Sequence, residues 1–214
     1  MREHARRHAR RLRGPDPGER LPLWYLAREA KRQDELWAEA ARALGARFLP
    51  GGAFWIPDQS RRIEAVIAGC PVTIDHRRRG FREFATSRGG GKEQVVCLQA
   101  PAAAPPPFEL RLLRPTGFSP LARAVGMQDV VIGHAELDAR FVIKTQRPEA
   151  ARSWLHPETV RHALAQADPT YEFWIAEGHA RAQRTGMPHS APELVRAAYA
   201  LAALASGPSA PAAS

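Results

Sequence analysis

The chain has 214 residues, 44% apolar and 25% charged, and this length predicts one well-buried core rather than two. It contains no run of about 18 apolar residues and no signal-peptide pattern, so we expect neither a transmembrane helix nor a secretory leader. The net charge of +9 is compatible with an anionic partner, but the bias towards Arg over Lys also fits the codon usage of a GC-rich genome.

The first 21 residues differ in composition from the rest of the chain. Residues 1–20 contain seven Arg and three acidic residues but few apolar side chains. Such a segment cannot build a core, so we predict a basic disordered arm over residues 1–21. Residues 206–214 are small and Pro-containing and predict a disordered tail. A single α+β domain is expected between them, over residues 22–205.

The folded part is predicted to begin with a helix and to continue with short strands. Over residues 24–44, apolar side chains recur at helical spacing. Residues 61–67 and 71–76 predict a hairpin, because apolar and polar residues alternate on either side of a Gly-containing turn. Residues 81–86 and 94–98 predict a second strand pair around a Gly-rich tip.

Strands and short helices are predicted to follow. Alternation predicts a strand over residues 108–113, and further strands are expected at 129–132 and 139–144. Pro148 and Pro157 each mark the beginning of a short helix, where proline is favoured.

The last elements are a predicted hairpin and a predicted apolar helix. The hairpin joins residues 171–176 to residues 179–183. The helix begins at Ser190, and Glu193 stands at the spacing of a capping box. Because almost no charge follows Arg196, this helix should be buried in the body or against a partner. The whole order predicts an α+β fold with an N-terminal helix, an antiparallel β-sheet of about six to nine short strands, C-terminal helices and disordered ends.

Cysteine usage bears on the compartment. The chain has two cysteines, Cys70 and Cys97, and neither lies in a metal-binding or redox spacing. Two free thiols are typical of a reducing compartment. With no secretory pattern in the sequence, we expect a bacterial cytoplasmic protein.

Several segments resemble a known family. They are the stretches at 43–48 (Ala-Leu-Gly-Ala-Arg-Phe), 69–72 (Gly-Cys-Pro-Val), 126–143 and 155–161. Over about residues 36–205 the chain is similar to a loosely defined set of uncharacterised bacterial proteins that carry a Gly-Asp-x-x-Phe-Asp-x-x-Phe-x-Val segment before a Pro-started helix. His134 replaces the first Asp of that pattern, and Leu137 replaces its first Phe. The resemblance implies the order of elements and no activity. Some relatives carry membrane anchors, which we do not expect here.

His134, Glu136 and Asp138 form a candidate metal site. On an extended strand, side chains two residues apart share a face, and nitrogen and oxygen donors suit a divalent metal ion. The alternative is a solvated edge or turn, in which Asp138 is a turn or cap residue and His134 a surface side chain. Neighbours on one face of a strand are also about 7 Å apart, which is wide for a compact metal shell.

A second basic cluster lies in the middle of the chain. It consists of Arg77, Arg78, Arg79, Arg82, Arg88 and Lys92. An arginine next to an aromatic residue can stack on bases and pair with phosphate, so this cluster and the arm are candidates for binding nucleic acid or another anion. The alternative is a solvated loop in an Arg-rich protein, because no known nucleic-acid-binding motif accompanies the cluster. Residues 89–92 lack the spacing of a phosphate-binding loop.

No residue is a candidate for catalysis, and no cofactor is expected. No Ser or Cys stands in a nucleophile-elbow setting, and Asp75 and His76 are adjacent, so on a strand they point to opposite faces. The tryptophans lie in apolar company and are expected in the core; they are Trp24, Trp37, Trp55, Trp154 and Trp174.

The favoured function is a non-catalytic protein-binding or regulatory module with an unknown protein partner. One alternative is a binder of nucleic acid or an anionic surface that uses the arm and residues Arg77 to Arg82. The other is a metal-dependent enzyme that uses His134, Glu136 and Asp138.

Overall fold

The structure is a computed structural model that describes residues 23–51, 60–79, 93–103, 106, 108–115 and 127–208. The predicted basic arm and most of the predicted tail lie outside these residues. Within them the chain forms, in order, α1 (Leu23–Ala43), β1 (Arg47–Leu49), β2 (Arg62–Ile67), β3 (Cys70–Arg79), β4 (Glu93–Pro101), β5 (Leu110–Leu113), β6 (Gln128–Val130), α2 (Ala135–Arg140), β7 (Val142–Thr145), α3 (Pro148–Leu155), α4 (Glu158–Gln166), β8 (Glu172–Ala176), β9 (His179–Thr185) and α5 (Ala191–Ser206).

These elements confirm the α+β prediction. The nine strands form one sheet in the order β1-β2-β3-β4-β9-β8-β5-β7-β6, and each neighbouring pair is antiparallel. The hairpins β2–β3 and β8–β9 were both predicted. Their turn residues Ala68-Gly69 and Glu177-Gly178 have positive φ angles, the conformation that matches the twist of a two-residue hairpin.

Two of the predicted strands are placed differently. β4 pairs with β3 on one side and with β9 on the other, so residues 94–98 have no free edge for the predicted pairing with 81–86. Residues 81–86 themselves lie outside the described residues. The strand expected over 139–144 begins only at Val142, because α2 continues to Arg140.

One face of the sheet builds the core. A single cross-strand row runs in register through all nine strands and faces the helices: Phe48, Ile63, Ile74, Leu98, Ala182, Phe173, Leu112, Ile143 and Val130. All of these are buried except Phe48, which is partly buried against them. The neighbouring row points to the other face, because alternate residues of a strand face opposite sides. That row is mostly polar: Arg47, Glu64, Thr73, Gln99, Arg181, Trp174, Arg111, Lys144 and Asp129.

The helices cover the apolar face as one connected layer. α5 packs on β2, β3, β4 and β9 and contacts both α1 and α4, and α1 also packs on β1 and β2. Ten of the sixteen residues of α5 are buried, which explains why its sequence is almost uncharged. In the part of the chain that the structure describes, no helix combines the length and the apolar run needed to cross a bilayer.

Candidate functional sites

The metal candidate lies at the start of a helix rather than on a strand. His134 is the N-cap residue of α2, and Glu136 lies in its first turn. Residues two apart on a helix are rotated by about 200° from each other, so the shared face assumed for the three side chains is absent. Among the described residues, no three His, Cys, Asp or Glu side chains are grouped so that they could hold a metal ion.

Asp138 has a local structural role instead. Its Oδ1 accepts a hydrogen bond from the backbone N–H of Ile132 at 3.0 Å, and its Oδ2 accepts one from Gly133 at 2.9 Å. Both carboxylate oxygens therefore hold the turn that leads into α2, where Gly133 has a φ of 83°. This is the turn role that the alternative interpretation assigned to Asp138.

The basic cluster of the middle of the chain begins on a strand. Arg77, Arg78 and Arg79 are the last residues of β3, which pairs with the start of β4. The guanidinium of Arg77 contacts the Asp75 carboxylate, with Nη2 and Oδ2 3.1 Å apart. The remaining members of the cluster lie outside the described residues: Arg82, Arg88 and Lys92.

Asp75 and His76 confirm the strand alternation. Asp75 is in register with Cys97 on the polar face, where it also lies 3.8 Å from the Arg62 guanidinium. His76 is in register with Val96 and is buried on the face that the helices cover. The two side chains are therefore separated by the sheet, as their adjacency predicted.

Arg61 connects the first helix to β3. Its Nε lies 2.6 Å from the Asp34 Oδ1 atom, and its Nη2 donates to the Ala30 carbonyl at 3.1 Å. Its own carbonyl accepts a hydrogen bond from the His76 N–H at 2.9 Å. Arg61 therefore joins Ala30 and Asp34 of α1 to His76 of β3.

The first three turns of α1 extend beyond the core. From Trp24 onward, the first buried residue of this helix is Gln33. Trp24 is 67% exposed, so its prediction as a core residue is wrong. It makes an edge-to-face contact with Tyr25, also exposed, with 6.1 Å between the ring centroids. Trp37 and Trp154 are buried as expected, and Trp174 is half-buried; Trp55 lies outside the described residues.

A buried polar group that the sequence did not reveal lies between β9 and α5. Arg184 forms an ion pair with Glu193, and its guanidinium carbon lies 5.7 Å from the centre of the Tyr171 ring. The other oxygen of Glu193, Oε2, accepts from the His189 N–H at 2.9 Å. The predicted capping box is therefore not formed, since Ser190 makes no side-chain cap bond and Glu193 binds elsewhere. One signal for this pair was present in the sequence. In β9 the side chains that face the helices belong to Ala180, Ala182 and then Arg184, so a charged residue occupies a buried position.

The environment of Arg184 shifts the pKa values of two nearby groups, Tyr171 and Asp168. Burial raises the pKa of the Tyr171 hydroxyl well above its usual value, and the charge of Arg184 offsets this only in part. Partial burial alone would raise the pKa of Asp168. That effect is outweighed by hydrogen bonds from the side chain and backbone of Thr170 and by the positive charges of Arg184 and Arg196. The pKa of Asp168 is therefore lowered.

Comparison with known proteins gives a likeness of fold. No family model matches the chain, and no curated protein matches it in sequence. The crystal structure of the mycobacterial trehalose monomycolate transport factor A, TtfA, is similar to it with a TM-score of 0.52. The match covers 81% of this chain and 92% of TtfA at 11% sequence identity. At that identity the similarity concerns the fold alone.

Proposed function

We propose that the protein is a non-catalytic binding module that acts through contacts with another protein. The main supporting observation is the outer strip of α5, which is the side of that helix left uncovered by the core. Its members are Pro192, Val195, Arg196, Tyr199, Ala203 and Ser206. Arg196 is the one charged residue of this strip, and Tyr199 at its centre is 50% exposed.

The chemistry of this strip suits a protein interface. Tyrosine is enriched among the residues that dominate interface energies, and charged residues are depleted at interface centres. Val195 and Ala203 are partly buried and pack on the core. Tyr199 therefore lies between two apolar residues that the core holds in place. The fold neighbour TtfA is named a transport factor rather than an enzyme, which agrees with a non-catalytic role by analogy of fold.

Site-specific crosslinking tests this function. A photoreactive amino acid is placed at Tyr199 and, as a control, at Glu149, whose side chain is 88% exposed on α3. We expect a discrete crosslinked partner from position 199 in the native host and none from position 149. With that partner purified, Tyr199→Ala should weaken binding about tenfold or more, as for an interface hot spot. Identical crosslinks from both positions, or unchanged affinity, would contradict the proposal.

A second candidate function is binding to an anionic ligand through the basic arm and residues Arg77 to Arg82. The observation that favours it is the connection through Arg61, which joins Ala30 and Asp34 of α1 to the backbone of His76 in β3. The helix that follows the arm in sequence is therefore linked to the strand residue that precedes Arg77. We expect affinity that falls steeply with salt and is lost when residues 1–20 are removed. Binding that is insensitive to salt, or unaffected by the deletion, would exclude this candidate.

A further inference from the structure

The exposed side of the first three turns of α1 combines aromatic and basic side chains. Its members are Trp24, Tyr25, Arg28, Lys31 and Arg32, and all five are exposed. We call this group the aromatic–basic face. Arg28 follows Trp24 by four residues and Tyr25 by three, so on the helix it is a neighbour of both rings. Lys31 and Arg32 lie one turn further on.

The cations of this face differ in how firmly they are paired. Arg32 forms a bidentate pair with Glu29, with 2.7 Å between Nη2 and Oε1 and 2.9 Å between Nε and Oε2. Lys31 lies 3.9 Å from Glu35, and all four side chains are between 40% and 81% exposed. The long, exposed Lys31 pair contributes little to stability, so a phosphate group can replace the Glu35 carboxylate at small cost, whereas a phosphate at Arg32 competes with Glu29. The pairs meanwhile keep the cations on the same side of the helix as the two rings.

The position of the apolar stripe argues against a lipid bilayer as the ligand. A helix that lies in a membrane interface inserts its apolar stripe into the lipid. In α1 that stripe passes through Leu26 and Ala30, both partly buried, and continues into the core at Trp37. The stripe is thus directed towards the body of the protein. The face left for a ligand carries two rings in the first turn followed by three cations, a composition that suits stacked bases and phosphates.

We propose that the aromatic–basic face binds single-stranded nucleic acid. Bases stack on Trp24 and Tyr25, whose edge-to-face packing leaves ring surface open to the solvent, and the phosphates pair with Arg28, Lys31 and Arg32. This inference rests on the second candidate function and names the ligand class and the residues that distinguish it from simple attraction of charge.

The test uses the full chain and a fluorescent oligothymidylate of about 20 nucleotides, with binding followed by anisotropy over a range of salt concentrations. The double variant Trp24→Ala/Tyr25→Ala should bind about tenfold or more weakly at every salt concentration. The double variant Arg28→Gln/Arg32→Gln should reduce the dependence of affinity on salt, because two phosphate contacts are lost.

Matched controls separate this face from the rest of the surface. Tyr199→Ala removes an exposed ring from α5, and Arg42→Gln removes an exposed cation from the last turn of α1. Both should bind like the unaltered chain. Circular dichroism should show the same helix content in every variant, because each of the substituted side chains is exposed.

Each other outcome overturns the inference. If the aromatic variant binds normally while removal of residues 1–20 abolishes binding, the arm alone binds; the second candidate function then stands and this inference fails. If the chain binds vesicles that contain phosphatidylglycerol but not the oligonucleotide, the ligand is a membrane. If it binds neither at low salt, the inference and the second candidate function fail together.

Discussion

The guanidinium of Arg184 and the carboxylate of Glu193 form an ion pair whose side chains are only 5% and 4% exposed. Arg184 lies on β9 near the centre of the sheet, and Glu193 lies in the first turn of α5. The pair therefore fixes the start of the last helix to the sheet. A buried pair of this kind is most sensitive to the loss of one partner, because the other charge remains without compensation.

Glu193→Gln tests that relationship. The substitution keeps the shape of the side chain and leaves Arg184 as a buried uncompensated charge, so the free energy of unfolding should fall by about 3–5 kcal/mol. Glu149→Gln, which removes the exposed partner of Arg152, should cost less than about 1 kcal/mol. The double variant Arg184→Met/Glu193→Leu should recover most of the loss. Urea denaturation measures all three, and equal effects of the two single substitutions would contradict a buried role.

Tyr171 should make stability depend on alkaline pH. Burial raises the pKa of its hydroxyl in the folded protein above the ordinary value of 10.0. Its contribution is therefore fully present below pH 10.0 and is lost as the pH rises from there towards the raised pKa, by about 1.4 kcal/mol per pH unit. Tyr171→Phe should remove this slope, whereas Tyr199→Phe should not. Denaturation curves collected between neutral and alkaline pH decide this, and parallel slopes in the Tyr171→Phe variant and the unaltered chain would refute it.

Gly207 ends α5 against the ring of Trp154, and substitution there should be costly. Its φ of 62° and ψ of −166° belong to a region that is essentially restricted to glycine. A Cβ atom at this position would lie 2.6 Å from two ring carbons of Trp154. That ring is held in place by a hydrogen bond from Nε1 to the Leu204 carbonyl at 3.1 Å. Both effects act against any side chain.

Gly45 supplies the matched control for this site. It has a similar φ of 60°, but a Cβ atom there would meet nothing within 4 Å. Gly45→Ala should therefore cost about 1–2 kcal/mol from backbone strain. Gly207→Ala should cost distinctly more, because the Trp154 ring must also move. Thermal unfolding of the two variants measures the difference, and equal shifts in Tm would rule out the contact with Trp154 as a constraint.

Arg61 should control how firmly the first turns of α1 are held. Arg61→Met removes the contacts to Asp34 and to the Ala30 carbonyl and should increase hydrogen exchange in residues 26–34. Residues 37–43 should exchange as before, because they pack in the core. Arg62→Met, which removes a pair with Glu64 and a 3.8 Å contact with Asp75 but no contact with α1, is the control. An equal rise in exchange along all of α1 would mean that Arg61 stabilises the whole helix instead.

Much of the fold could be predicted because local patterns and tertiary structure agree. The turns at Ala68-Gly69 and Glu177-Gly178 separate alternating segments, and both hairpins form where they were expected. The apolar pattern of α5 predicted its burial. The segment 134–140 was harder, because a helix of fewer than two turns has too few residues to show a helical period. The strand then begins only at Val142.

The candidate sites were less predictable because they depend on contacts between distant segments. The ion pair of Arg184 with Glu193 and the connection of Arg61 to both α1 and β3 are tertiary contacts with no local signature. Trp24 was expected in the core because its neighbours in sequence are apolar. Composition does not show at which residue a helix begins to pack against the sheet. The family resemblance of residues 36–205 stays a prediction.

The order of the strands has a consequence for synthesis on the ribosome. β4 pairs with β9, and the first residue of β9, His179, is opposite the last residue of β4, Pro101. β3 and β4 also receive their helical cover from α5, the last element of the described chain. A nascent chain that has not reached α5 therefore exposes an apolar sheet face and an unpaired edge of β4, the features that make a folding intermediate prone to aggregate and that chaperones recognise. The core of the part that was made first is therefore completed only after α5 has been made.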